Sequence, residues 1–268
     1  MIANYKIFFG FSNEPFPHDL KVEQILNTPE VIGAVDRVLY AVGCGAVSVI
    51  TGDVGAGKST ALRYALSKMH PSQYKIIEVI ANTGSILEVL RQICLALNIE
   101  NNSHSQTALM NTIRKIILEI ANKKQVPVLI IDEAHLMRLE IFSQMHTIGQ
   151  FEMDSKPIMP IILAGQNNLI DKLMYTNSRS LASRIVSRSH LEGIKFKDIG
   201  EYIKHHLEIA GIKQQLFSDE AILAIYQGTR GLLRKTNIVA RGALIAAASE
   251  KCNVISAEHV RIAFTETI

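Results

Sequence analysis

Residues 47–60 read Val-Ser-Val-Ile-Thr-Gly-Asp-Val-Gly-Ala-Gly-Lys-Ser-Thr. Val47, Val49 and Ile50 make a short β-branched apolar run, which predicts a buried strand. Gly52, four further residues and then Gly57-Lys58-Ser59 follow it, and this is the spacing of a phosphate loop. The spacing has a physical cause. A loop that wraps a phosphate with backbone N–H groups needs glycines where the anion comes close. Gly52, Asp53, Val54, Gly55, Ala56, Gly57, Lys58, Ser59 and Thr60 are therefore the expected cradle for the phosphates of ATP. A helix from Ser59 to about Lys68 would turn its amino end, which favours anions, towards them. Lys58 would reach the β- and γ-phosphates, and the Ser59 hydroxyl would hold Mg²⁺.

Working outward, Val126-Pro127-Val128-Leu129-Ile130-Ile131-Asp132-Glu133-Ala134-His135 is a fully apolar strand with two carboxylates at its carboxyl end. Open parallel sheets hold their ligands at that end. Asp132 is the expected second Mg²⁺ ligand, through water beside Ser59, and Glu133 the group that polarises the attacking water. The alternative, a carboxylate that only caps the next helix, does not explain why the pair follows a phosphate loop. Asp-Glu-Ala-His also occurs in one helicase class, but 268 residues cannot hold two motor domains and the other helicase motifs.

Further strands are predicted over residues 75–80, 158–164 and 190–194. Gln166, just past the second of these, is the candidate γ-phosphate sensor. Helices are predicted over 84–97 and 105–122, the second with Ser105 as N-cap, and over 29–42 with Gly43 ending it. Ser178 to Arg188 carries three arginines in ten residues, Arg179, Arg184 and Arg188. Arg184 is the first choice for an arginine that reaches a neighbouring subunit's nucleotide, with Arg188 next.

From Asp198 the pattern turns wholly helical. Asp198 with Glu201 suggests a capping box before a helix to Ala210. Ser218 would cap a helix to Gln227 ended by Gly228, a third helix would span 232–248, and Ser256 would cap a fourth. Arg234, at the start of the third, is expected within reach of the bound phosphates. At the other end, Tyr5, Phe8, Phe9, Phe11 and Phe16 crowd an arm that must pack on the protein. Phe11, Pro15 or Phe16 either walls the adenine or anchors the arm.

Composition bounds the class. The chain is 48% hydrophobic and 20% charged, an ordinary globular balance. Residues 175–268 hold 13 Lys/Arg against nine Asp/Glu, and residues 1–174 hold 15 against 16, so the cationic excess lies in the last third. That permits contact with nucleic acid. The three cysteines are odd in number and include no Cys-x-x-Cys pair, which argues against a disulfide framework or a zinc site. No apolar run approaches a membrane span, and the start lacks a secretory-signal layout, so a cytoplasmic protein is expected.

The order of these parts resembles the AAA+ ATPases: phosphate loop, Asp-Glu strand, polar sensor, arginine segment, helical lid. Phe9-Gly10-Phe11, Glu14-Pro15-Phe16, Leu163-Ala164-Gly165-Gln166 and Gly231-Leu232-Leu233-Arg234-Lys235-Thr236-Asn237 are similar to the ExeA-like branch, whose relatives include TniB, TnsC and MuB. The resemblance implies an α/β fold, a parallel five-stranded sheet flanked by helices over residues 1–196, followed by a small all-helical lid over 197–268. It implies ATP and Mg²⁺ as ligands, ATP hydrolysis, and self-assembly into a ring or filament. It also implies non-specific binding of duplex DNA and regulation of a transposase or related recombinase. Arg230, Arg234, Lys235 and Arg241, with Arg179 and Arg188, are the cations expected to face DNA. Assembly of a secretion machine and loading of a helicase are the other readings the same motifs allow.

Overall fold

The computed structural model describes residues 5–100, 103–151 and 157–266. Short 3₁₀ turns aside, its elements are α1 (Tyr5–Phe9), α2 (Pro29–Gly43), β1 (Val47–Gly52), α3 (Lys58–Ser67), β2 (Tyr74–Ile80), α4 (Ile86–Ala96), α5 (Gln106–Asn122), β3 (Val126–Asp132), α6 (Leu139–Ile148), β4 (Ile161–Gly165), α7 (Asn168–Met174), α8 (Arg179–Ala182), β5 (Ile185–Leu191), α9 (Phe196–Ile209), α10 (Asp219–Thr229), α11 (Leu233–Ser249) and α12 (Ala257–Glu266). Two compact units divide them. One takes Pro29–Gly52 and Lys58–Leu191; the other takes the chain up to Thr28, Asp53–Gly57 and the chain from Glu192 onward. This grouping differs from the expected split at 196/197: the aromatic arm and part of the phosphate loop cluster with the helical residues. Among the described residues, no helix is long and apolar enough to cross a membrane.

The first unit is built on a five-stranded sheet in the order β2-β3-β4-β1-β5. Every pairing is parallel. From β1 the chain crosses to the far edge and then returns strand by strand, so connections on opposite faces diverge at β1, the place where such sheets bind ligands. Val47 and Val49 on β1 join a core with Leu129, Ile131 and Leu163 and with apolar residues of α4 to α8. Ser48 faces the other way, where the Ser187 hydroxyl donates to the Arg37 carbonyl (2.9 Å) on α2 and its Oγ lies 2.8 Å from that of Ser48, whose own hydroxyl can donate to it.

Those serines explain one correction. The last strand was expected at 190–194 but begins at Ile185. Its buried positions include Ser187 and Ser189, and the exposed ones Val186, Arg188 and His190. Small serines fit under α2, so the strand lacks the apolar alternation that marks one in sequence. α6 and α7 were likewise not anticipated.

The second unit has its own core of α9 to α12 residues. Ser218 Oγ accepts from the Ala221 N–H (3.2 Å), as its capping role requires. The capping box at Asp198 does not form: α9 begins at Phe196 with Lys195 as N-cap, which leaves Asp198 within the first turn. Gly228 does not end its helix either. It lies inside α10, where an added Cβ would come 2.0 Å from Phe264 Cζ on α12. The left-handed cap is Arg230 (φ +52°), and Gly231 (φ +74°) follows it with its α-carbon against the Ile194 carbonyl.

The arm packs as an anchor. Phe16 has 0% exposure and stacks on His206, ring centroids 5.0 Å apart. Ser12 donates its N–H to the Ala210 carbonyl (2.8 Å). Glu14 takes hydrogen bonds or ion pairs from Tyr5, Lys6 and Arg241. Burial alone would raise the Glu14 pKa, but the bonds from Lys6 and Tyr5 and the charges of Lys6 and Arg241 hold it below the usual carboxylate range. Arg241 also donates to the Phe16 carbonyl. It is thus a strut for the arm, which corrects its expected role on DNA.

His206 is 1% exposed, and neither ring nitrogen has a hydrogen-bond partner. Burial, reinforced by His205, pushes its pKa down to about 3. Above the unfolded value of about 6.5 both states are neutral, and below it only the unfolded chain takes the proton. Stability should therefore fall as pH drops from about 6.5 towards 3, at up to about 1.4 kcal/mol per pH unit from this residue. Urea titrations at pH 7 and pH 5 should show that loss, and His206→Phe should flatten it. An unchanged slope in the variant would mean that other groups carry the pH dependence.

Candidate nucleotide site

The site begins with the loop after β1. Gly55 (φ +82°) and Gly57 (φ +101°) hold left-handed backbone that side-chain-bearing residues rarely adopt. The Ala56 N–H closes a turn on the Asp53 carbonyl (3.1 Å). Within the helical unit, Arg234 donates its main-chain N–H to the Gly55 carbonyl (3.3 Å). An added Cβ on Gly55 would lie 2.8 Å from Arg234 Cβ, so a second demand for glycine acts there. The Arg234 side chain is exposed, and Val54 is exposed as well.

In the sheet unit, Lys58 opens α3 and is 7% exposed, with Nζ donating to the Gly52 carbonyl (2.9 Å). Ser59 Oγ donates to Asp132 Oδ2 at 3.4 Å. The other Asp132 oxygen accepts the Glu133 N–H (2.8 Å). Glu133 has φ +51° and ψ +30°, a left-handed setting that costs a non-glycine residue about 1–3 kcal/mol and is found most often at functional sites. Lys58, Ser59, Asp132 and Glu133 thus meet at the carboxyl ends of β1 and β3. The register pairs Thr51 with Gly165, which sets Gln166 one residue beyond the end of β4, level with Gly52.

His135 completes the tetrad and is 6% exposed. Burial holds its pKa below the ordinary histidine range; Glu133 opposes that, and the Lys172 and Lys58 charges add to it. Lys172 donates to the His135 and Met137 carbonyls, and its own pKa is lowered by burial. The contact of His135 with Glu133 was not anticipated, because the two lie only two residues apart and neither strand nor helix periodicity would bring them together.

The arginines separate. Arg184 sits at the amino end of β5, where its carbonyl accepts the Val47 N–H (3.0 Å) and its guanidinium donates to the His146 carbonyl (3.2 Å). Five residues of strand, roughly 17 Å, part that level from Gly52. Arg188 lines a cavity of about 420 Å³ with Val49, Thr51, Asn167, Ile170, Ser189 and His190. Arg179 is exposed at the start of α8.

Glu250, Cys252 and His259 have ligand atoms within 4.8 Å of one another, a spacing that could suit a metal. The histidine argues against it. Its Nδ1 accepts the Ser256 N–H (2.9 Å), so Nε2 carries the proton and donates to Glu250 (3.1 Å). A metal on Nε2 would require the imidazolate. The cluster is instead the N-terminal cap of α12.

If the loop binds phosphate, Lys58→Ala should weaken nucleotide binding about tenfold to a hundredfold, the usual worth of a charge-assisted hydrogen bond. Calorimetry with ATP would measure it, and an unchanged affinity would remove the loop from the site.

Comparison with known proteins bears on the fold. Residues 45–173 match the family described as an AAA domain. Over 245 residues, 91% of the chain, the sequence is 27% identical to the general secretion pathway protein A of Aeromonas hydrophila. The match takes in 45% of that protein, so the chain spans less than half the length of this relative. The ORC2 protein of Aeropyrum pernix superposes with a TM-score of 0.72 at 15% identity, over 96% of this chain and 72% of that one. The ORC1 protein of Aeropyrum pernix, solved in complex with DNA, gives 0.66 at 13% identity, over 91% of this chain and 66% of that one. Likeness at such identities bears on the fold alone. The chain therefore has the P-loop AAA+ fold, residues 45–173 are similar to the AAA domain family, and the sequence is similar to a general secretion pathway protein A.

Proposed function

We propose that this protein binds ATP and hydrolyses it to ADP and phosphate, with Mg²⁺ and in an assembled state. The observation that carries the reading is the meeting of Lys58, Ser59, Asp132 and Glu133 at adjoining strand ends. Lys58 brings a charge-assisted donor to the β- and γ-phosphates. Ser59 Oγ and Asp132 Oδ2, two oxygens 3.4 Å apart, are donors of the type a hard cation takes. When bound there, Mg²⁺ would neutralise charge that develops on the transferred phosphoryl group. Asp132 keeps its carboxylate fixed by accepting the Glu133 N–H. Glu133, its side chain 45% exposed, orients the attacking water and draws on its proton. Gln166 would sense the γ-phosphate, and Arg234 adds a cation next to Gly55. Arg184, whose guanidinium donates to the His146 carbonyl, is the first choice for an arginine that serves a neighbouring subunit's nucleotide in a ring or filament.

Two observations bear on the client. The likeness to general secretion pathway protein A, over 91% of the chain, favours an assembly ATPase of a secretion machine. Exposed Arg230, Arg234 and Lys235 on the helical unit favour a DNA-associated role, as regulator of a transposase or related recombinase. An ORC1 protein of the same fold has been solved with DNA. The first reading has the sequence likeness behind it; the second rests on charge, and the helicase-loader reading on fold alone.

Glu133→Gln keeps shape and removes charge. It should hold ATP as tightly as the parent while turnover drops by about 10²–10⁴-fold, the range for a lost general base. Turnover near that of the parent would overturn the assignment.

The DNA reading has its own test, in which labelled duplex is titrated with ATP-loaded protein across a salt series. Binding should need ATP, ignore sequence and weaken linearly in log[salt], and Lys235→Ala should lower the slope by about one per subunit. Equal binding with and without nucleotide, or none at low salt, would remove DNA and leave the secretion reading.

A further inference from the structure

One buried polar side chain faces the proposed water-activating carboxylate and has no other duty in the site. His135 Nδ1 lies 3.3 Å from Glu133 Oε2. The distance suits a hydrogen bond but the angle does not, and Nδ1 has no hydrogen-bond partner. An unsatisfied buried donor costs about 1–3 kcal/mol, so a geometry that satisfies it is favoured.

The two partners differ in freedom. The Glu133 side chain is 45% exposed and can turn; that of His135 is 7% exposed. The histidine belongs to the 3₁₀ turn Ala134–Leu136, and its carbonyl is tied to Lys172 Nζ. Gly165 at the end of β4 packs against it so closely that an added Cβ would lie 3.0 Å from the His135 main-chain N and 3.3 Å from its Cβ. A fixed donor therefore stands beside a movable acceptor. Burial, with the Lys172 and Lys58 charges, lowers its pKa against the opposing pull of Glu133, and in the Nδ1–H tautomer the ring offers a donor.

We propose that His135 is a positioning residue for Glu133. Its Nδ1–H takes one carboxylate oxygen as Glu133 turns into its working setting, which leaves the second oxygen to face the attacking water. The proposal rests on the reading of Glu133 as the water-activating group. It adds that the carboxylate's aim is set by the histidine, not by the strand end alone.

The test compares His135→Leu, which fills the space without a donor, with His135→Asn, whose amide nitrogen stands about where Nδ1 does. His135→Leu should lower kcat about tenfold to a hundredfold, the usual effect of removing a supporting contact, with KM for ATP within about twofold. His135→Asn should recover most of that loss. Placed on Glu133→Gln, His135→Leu should cost nothing further, because the carboxylate it aims is gone. If His135→Leu does not fold, His135→Asn and His135→Gln still decide: the Gln amide reaches one methylene too far and should be the slower. A kcat near that of the parent in His135→Leu, equal losses in Leu and Asn, or an undiminished loss on the Glu133→Gln background would each overturn the proposal. Parent-like turnover in Glu133→Gln alone would instead overturn the underlying reading of Glu133.

Discussion

The parallel pairing of β1 to β4 and of β4 to β3 is the constraint on which the sheet unit depends. It brings Thr51 level with Gly165, and Ile131 level with Leu163, so the strands finish together. Lys58, Asp132, Glu133 and Gln166 come from three separate stretches, and only this register sets them at one edge. A slip by one residue would turn Asp132 to the opposite face of the sheet, because side chains alternate along a strand. The sheet interior gives the register its energy. Val49, Leu129, Ile131 and Leu163 are fully buried, and a slip would expose or misplace each of them.

Within that frame the carboxylates of Asp132 and Glu133 are held by local chemistry. Asp132 accepts from Ser59 on one oxygen and from the Glu133 N–H on the other, and the same contact fixes the left-handed turn at Glu133. The turn lifts Glu133 off the strand direction and delivers His135 beneath it. Backbone strain of this kind persists only where the surroundings hold it, here Lys172 on the carbonyls and Gly165 against the turn.

The helical unit solves a different problem. Its core closes over the arm, with Phe16 on His206 and with Arg241 tied to Glu14 and to the Phe16 carbonyl. The same unit keeps Gly55 against Arg234, so the glycine serves the packing of α11. The arginine that charge counting assigns to DNA, Arg241, is spent inside this arrangement, while Arg230, Arg234 and Lys235 stay exposed.

Short-range pattern carried much of this architecture. The phosphate loop, the apolar β1 and β3 and the caps at Ser105 and Ser218 follow from residues a few positions apart, where spacing and propensity act. Lys58, Ser59, Asp132 and Glu133 were legible for the same reason, since each belongs to a motif in which the chemistry dictates the neighbours. The tertiary structure decided what depends on distant partners. β5 is a strand because α2 leaves room only for serines beneath it; Gly228 is a packing site for Phe264 and not a helix end; Arg241 is a strut and not a free cation. The pairing of His135 with Glu133 belongs there too. Two residues apart in a turn, they meet because Glu133 takes the left-handed setting, and that setting is held by packing contributed from β4 and α7.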